Sequence, residues 1–138
     1  MQPGFTTHYA TTLTVDFRIF ALVEFIDYTA ENGEVYRMPK AARSDLASIP
    51  RPLWSLLPPA GEDGAEYGLC AFLHDLCYRN TLLRVLPDGS TQLAALPKDR
   101  CDLLLKESME LCGVPAHIVF EIYEGVRLGG QGSFCEDR

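Results

Sequence analysis

The chain lacks the features that would assign it at once to a membrane, exported or nucleic-acid-binding class of protein. No apolar run approaches the roughly 20 residues of a membrane-spanning helix, and the first residues show no charged-then-apolar signal pattern. Lys and Arg form no cluster, and a net charge of −7 is unfavourable for contact with phosphate backbones. We therefore expect no transmembrane segment, no signal peptide and no nucleic-acid partner.

The sequence also lacks a regular cysteine framework. An odd number of cysteines cannot all pair within one chain, and no Cys-x-x-Cys motif marks a zinc ribbon. Because cysteine thiols are among the most buried side chains, the simplest interpretation is a set of buried thiols at Cys70, Cys77, Cys101, Cys112 and Cys135. An alternative interpretation groups four side chains as a zinc site, namely Cys70, His74, Cys77 and Cys101.

What is present is the composition of an ordinary globular protein, with 47% hydrophobic and 22% charged residues over 138 positions, which we interpret as one domain. Within residues 12–40, runs rich in apolar and β-branched residues are typical of β-strands, and Asn32-Gly33 is a strong hairpin signal. We expect an antiparallel hairpin or a three-stranded meander there, after an irregular lead-in over residues 1–11.

Helical patterns fill residues 65–130. Apolar residues recur at three- and four-residue spacing in three segments, 65–79, 98–112 and 116–128. Asp88-Gly89, between two short β-prone runs, predicts a small inserted hairpin. The predicted fold class is α+β: an N-terminal antiparallel β meander or hairpin packed on a three-helix unit with that small inserted hairpin. An irregular tail is expected over residues 131–138.

A proline-rich loop over residues 44–62 separates the β part from the helices. Asp45 and Ser48 are turn and capping residues that can simply shape this loop. Trp54 lies among leucines, where it is expected to belong to the core or a lid, or to a docking surface if the protein acts on lipid. Together with Arg51, these are the candidate loop or substrate-contacting residues.

The strongest functional clue lies in the first predicted helix. His74 and Tyr78 are four residues apart on one shoulder of its apolar stripe, so they stack along one line of the helix. In the second predicted helix, Asp102 lies on a shoulder next to Cys101. If the two helices pack antiparallel, His74 can face Asp102 in a solvent-reachable notch at the rim of the buried face.

This pairing has a defined chemistry. A carboxylate that fixes the tautomer of an imidazole makes it a general base, able to take a proton from water. Tyr78 could hold that carboxylate in place through its hydroxyl, so the candidate catalytic residues are His74, Asp102 and Tyr78. The alternative is a semi-buried His74 that is only hydrogen-bonded to Asp102 or to the loop.

Asp75 is the candidate metal ligand. It points about 100° away from His74 around the helix, and its carboxylate suits a hard cation that prefers oxygen ligands. The alternative is an exposed carboxylate, or one paired with Arg79 at the i+4 position, which would have little functional meaning.

Five motifs follow one another in the chain: Tyr36-Arg37-Met38-Pro39, the segment from Ser44 to Arg51, His74-Asp75-Leu76-Cys77-Tyr78, Asp102, and Val126-Arg127-Leu128-Gly129-Gly130. In this order they resemble a family of small phage and prophage proteins, domain-of-unknown-function family 1353, over most of the chain. The resemblance implies a phage context, with the protein in the host cytoplasm or in the virion, and it implies no particular activity.

A second, shorter resemblance concerns the helices. Cys70-x-x-x-His74-Asp75-x-Cys77-Tyr78, followed by Cys101-Asp102, is similar to the two-helix core of phospholipases of the A-two type. This resemblance implies that His74 activates water, that Asp102 orients it, that Asp75 binds Ca²⁺, and that Cys77 bridges to Cys101. Cys112 falls too far along the second helix for the other helix-to-helix bridge of those enzymes.

Two functional hypotheses follow. In the first, the protein is an esterase or phospholipase-like hydrolase in which His74 activates water beside a cation at Asp75. In the second, it is a non-enzymatic phage protein, either a virion component of the tail or neck or a host-interaction protein, and the helices serve packing alone. The corresponding partners are lipid or other phage structural proteins.

Overall fold

The computed structural model describes residues 3–5, 12–14, 20–22, 24–40, 42–44 and 65–129. Its elements, in chain order, are β1 (Gly4–Phe5), β2 (Thr12–Thr14), β3 (Phe20–Leu22), β4 (Ile26–Thr29), β5 (Val35–Met38), β6 (Arg43–Ser44), α1 (Ala65–Tyr78), β7 (Leu83–Val85), β8 (Thr91–Leu93), α2 (Lys98–Leu111) and α3 (Ala116–Gly129). The predicted α+β class is confirmed.

The strands form two antiparallel sheets. Five strands make the larger sheet in the order β1-β4-β5-β7-β8, and three strands make the smaller one in the order β2-β3-β6. The hairpin between β4 and β5 confirms the Asn-Gly signal, because Gly33 takes a positive φ of 88° that residues with a Cβ rarely adopt.

The inserted hairpin of β7 and β8 exists, but it is not a separate unit. Strand β7 pairs with β5, with Val35 opposite Val85, so the insertion extends the N-terminal sheet. A turn signal specifies only the local hairpin, whereas this pairing joins segments 50 positions apart in the sequence.

The lead-in predicted as irregular contains a short strand. Gly4 and Phe5 pair with Thr29 and Tyr28 of β4, and the Phe5 ring stacks on Tyr28 at a centroid distance of 4.8 Å. Two residues are too few to show a strand period, so the sequence pattern does not predict this pairing. The stacked ring is the physical reason for the difference, because it packs against both groups of core side chains.

The three helices begin and end within one residue of their predicted limits, and each spans 14 residues. None of the described helices is long and apolar enough to cross a bilayer. Helix α2 ends at a Schellman-type turn around Gly113, whose φ is 82°, and Val114 donates its N–H back to Met109.

The core consists of two groups of buried side chains. One joins the larger sheet to α1 and the start of α2, and the other joins α1, α2 and α3. A disulfide between Cys77 and Cys101 links the last turn of α1 to the first turn of α2. Near the other end of the same pair, Cys70 contacts Cys112, so the two helices run antiparallel, as predicted.

Candidate functional site

The three candidate catalytic side chains meet between α1 and α2. His74 Nε2 lies 2.8 Å from Asp102 Oδ1, and the Tyr78 hydroxyl donates to the same oxygen at 2.5 Å. The rings of His74 and Tyr78 lie 4.1 Å apart, one helical turn from each other, as their spacing predicts. Because the disulfide joins Cys77 to Cys101, it sets Asp102 directly opposite this turn of α1.

A fourth member of the cluster, Lys98, was not predicted. Its ammonium donates to Asp102 Oδ2 at 2.9 Å and to the backbone carbonyls of Val126 and Arg127 at 3.0 and 3.1 Å. The available signal was its position four residues before Asp102 on one helix face. The carbonyl contacts carry no signal in the sequence, because backbone acceptors exist at every residue.

The environment keeps Asp102 ionised. Burial by itself raises the pKa of this carboxyl group, but hydrogen bonds from His74, Tyr78 and Lys98 outweigh burial and hold the pKa of Asp102 below its ordinary value of 3.8. Burial also raises the pKa of the Tyr78 hydroxyl above its ordinary value, and Asp102 acts in the same direction. Tyr78 therefore remains a protonated donor at neutral pH.

His74 is neutral in the same environment. Burial lowers the pKa of its imidazole below the ordinary value of 6.5, and this effect outweighs the opposite influence of Asp102 and Asp75. Since an ionised carboxylate can only accept, the His74 Nε2–H donates to Asp102. The pair is thus a neutral imidazole oriented by a carboxylate, the arrangement of a general base before it takes up a proton.

The prediction that His74 and Asp102 meet in a solvent-reachable notch is wrong. His74 has 0% of its surface exposed and Asp102 has 1%, so both are buried rather than at a rim. The helical pattern identified the correct shoulder of α1, but every described side chain from Leu69 to Tyr78 is buried, so α1 has covered surface on all sides.

Asp75 is buried as well and forms the ion pair that we considered as its alternative role. It is 2% exposed, and Arg79 Nε lies 3.3 Å from Asp75 Oδ2. Among the described residues, no group of three or more His, Cys, Asp or Glu side chains is arranged to hold a metal ion. Ca²⁺ requires six to eight oxygen ligands, so the described residues do not by themselves fit a calcium site.

The zinc interpretation is wrong. Cys77 and Cys101 form a disulfide, the one that the second resemblance implies, and cannot act as thiolate ligands. The buried-thiol interpretation is confirmed for Cys70, which is fully buried, while Cys112 is only half-buried. The sulfur atoms of Cys70 and Cys112, the C-cap residue of α2, lie 3.7 Å apart, so these two cysteines are in contact but not disulfide-bonded.

The candidate loop residues Asp45, Ser48, Arg51 and Trp54 lie outside the described residues, as does Cys135. A cleft of about 500 Å³ lies elsewhere, along β4, β5 and β7, and shares no lining residue with the His74 cluster. Arg84 Nη2 and Glu34 Oε2 lie 3.4 Å apart at its wall, so these opposite charges face each other. We assign this cleft no chemical role.

Comparison with known proteins gives one result. A search of curated proteins and a search of solved structures each found no match. A family model described as a protein of unknown function, DUF1353, matches residues 20–126, which is well over half of the chain and includes the whole His74 cluster except the Arg127 carbonyl. The chain therefore belongs to this family of proteins of unknown function, DUF1353.

Proposed function

We propose that the protein is a hydrolase of carboxylic esters in which His74 is the general base. The observation that carries the proposal is the hydrogen bond of 2.8 Å between His74 Nε2 and an Asp102 carboxylate that Tyr78 and Lys98 hold in place. An imidazole with one nitrogen fixed on a carboxylate takes a proton at its other nitrogen, and the carboxylate stabilises the resulting cation. The substrate class follows the phospholipase resemblance of the two helices.

In the proposed reaction, His74 Nδ1 accepts a proton from water while the water oxygen attacks the ester carbonyl. The imidazolium then returns the proton to the leaving alkoxide, so the base is regenerated. Asp102 does not exchange protons in this scheme, because its low pKa keeps it ionised throughout. No step is routed through a metal ion, and a calcium-binding role of Asp75 remains a prediction for calorimetric titration with Ca²⁺.

Burial of His74 adds a requirement to this scheme. Since the imidazole has no exposed surface, water and ester reach it only when the chain that covers it moves. An interface between water and lipid is a natural trigger for such a movement, because a lipid surface can bind apolar residues displaced from the protein. We therefore expect higher activity on phospholipid vesicles than on a dissolved short-chain ester.

Substitution of His74 tests the proposal. Against phospholipid vesicles, His74→Ala should lower kcat by about 10²–10⁴-fold, the usual contribution of a general base. His117→Ala is the matched control, because His117 is exposed on α3 and should leave kcat unchanged. A correctly folded His74→Ala protein that retained full activity would falsify the assignment.

A second candidate function is favoured by the same burial. Both Asp102 oxygens are satisfied within the cluster, as in structural networks of protein cores, and such a network needs no access to solvent. In this case the protein is a non-enzymatic phage or prophage component that binds another protein. Phage complementation separates the two: a folded His74→Gln variant that restores phage growth fully favours the binding function, whereas loss of growth favours the hydrolase.

A further inference from the structure

Lys98 joins three parts of the molecule at one nitrogen atom. It is the first residue of α2, and its side chain is 15% exposed. Its ammonium has three N–H donors, and three acceptors lie within 3.1 Å: Asp102 Oδ2, the Val126 carbonyl and the Arg127 carbonyl. The donor capacity of Lys98 is therefore filled by these contacts.

The two carboxylate oxygens of Asp102 bind different partners, one on α1 and one on α2. Oδ1 accepts from His74 and Tyr78 of α1, whereas Oδ2 accepts from Lys98. Rotation of the carboxylate about its Cβ–Cγ bond would break both sets at once. The bond to Lys98 therefore fixes the plane of the carboxylate that His74 Nε2 meets.

The other end of this link is the last turn of α3. Val126 and Arg127 lie in the last turn of α3, where the backbone carbonyls begin to lack amide partners within the helix. A lysine ammonium at this position caps the helix and lies at the negative end of its dipole. The position of the α3 terminus is thus transmitted to Asp102 through one side chain.

We propose that Lys98 is a positioning residue. It holds Asp102, and through Asp102 the imidazole of His74, in a fixed position relative to the end of α3. The effect on turnover rests on the proposed hydrolase function, whereas the effect on the His74 hydrogen bond does not. Lys98 acts on His74 through Asp102, the carboxylate to which both side chains are hydrogen-bonded.

Lys106 supplies a matched control on the same helix. Like Lys98 and Asp102, Lys106 and Glu110 form an i,i+4 pair on α2, but their charged atoms are 4.0 Å apart and their side chains are 45% and 56% exposed. An exposed pair of this kind contributes little, so Lys106→Met tests what loss of an ordinary lysine does.

The experiment compares Lys98→Met, Lys98→Arg and Lys106→Met in the full chain. Proton NMR follows the His74 Nε2–H, and assays on phospholipid vesicles give kcat and KM separately. We expect Lys98→Met to shift or broaden the His74 signal and to lower kcat by roughly 10-fold at unchanged KM. This is the lower end of the loss that follows removal of a residue that orients a functional side chain through a hydrogen bond. Lys98→Arg should restore part of both, and Lys106→Met should change neither.

The two readouts separate failure of this proposal from failure of the hydrolase function. An unchanged His74 signal in folded Lys98→Met overturns the positioning role, whatever the protein hydrolyses, and so does a change in KM alone. If the native protein hydrolyses no ester but the His74 signal changes in Lys98→Met and not in Lys106→Met, the hydrolase function fails and the positioning role stands. If Lys98→Met does not fold, Lys98→Gln replaces it with the same criteria.

Discussion

Helix α2 carries two carboxylates, Asp102 and Glu107, that each accept a hydrogen bond from a tyrosine hydroxyl. The surroundings of the two carboxylates differ. Tyr78 donates to Asp102 at 2.5 Å, and Tyr28 donates to Glu107 at 2.8 Å. Asp102 is buried and also accepts from His74 and Lys98. Glu107 also accepts from the backbone N–H of Glu31, at 3.2 Å.

The comparison shows that a tyrosine–carboxylate pair does not by itself mark a reactive site. The Glu107 pair joins the hairpin of β4 and β5 to α2, so it links the sheet to the helices. Burial, followed by the hydrogen bond to Glu107, raises the pKa of Tyr28, just as burial and Asp102 raise that of Tyr78. What distinguishes the Asp102 cluster is an imidazole and an ammonium on the same carboxylate.

The largest expected difference between the two carboxylates is in the free energy of unfolding. Asp102→Asn should lower it by about 3 kcal/mol, because the substitution breaks a buried charge cluster. Glu107→Gln should lower it by about 1 kcal/mol, the usual net value of a hydrogen bond that is partly open to solvent. Urea unfolding measures both values, and equal losses would contradict the distinction between the two regions.

A smaller difference is expected for the two hydroxyls. Tyr78→Phe should lower the free energy of unfolding by about 2 kcal/mol, since it removes a buried hydrogen bond to a charged acceptor. Tyr28→Phe should cost about 1 kcal/mol, because its acceptor is half-buried and the chain around Glu107 remains accessible to water. Thermal unfolding of the two variants measures both losses of stability. A larger loss for Tyr28→Phe would mean that the hydrogen bond to Glu107 stabilises the fold more than the one to Asp102.

The smallest expected effect is on the pH dependence of stability. The pKa of His74 is lowered in the folded state, so below about pH 6.5 the unfolded chain binds a proton that the folded chain does not, and stability falls with falling pH by at most about 1.4 kcal/mol per unit. Asp102 extends the loss of stability to lower pH. Because its pKa in the folded state is below the ordinary value of 3.8, the unfolded chain takes up this proton first as the pH falls below about 3.8.

The histidine part of this dependence should be specific to the Asp102 cluster. His74→Gln should flatten the slope of the unfolding free energy just below pH 6.5, because it removes the titrating imidazole. Glu107→Gln should leave that slope as it is in the native protein. Urea unfolding at several pH values checks both, and a native slope in His74→Gln would assign the titration to another group.

The pairing of His74 with Asp102 was predictable because it needs only two helical periods and one antiparallel contact. The pairing of β7 with β5 and the contacts of Lys98 with the end of α3 were not, since both depend on how distant segments pack rather than on a local pattern. Burial of His74 was missed for a related reason: a sequence shows which side of a helix is apolar, but not how many neighbours cover the other sides.

The disulfide between Cys77 and Cys101 closes a covalent ring of chain that contains β7 and β8. The turn between these strands, at Asp88 and Gly89, is exposed and is the natural place for a protease to cut. A cut there would place His74 and Asp102 on two separate polypeptides that one sulfur–sulfur bond still holds together. Under reducing conditions the same cut would leave the imidazole and its carboxylate on fragments that only non-covalent contacts, such as the packing of α1 against α2, hold together.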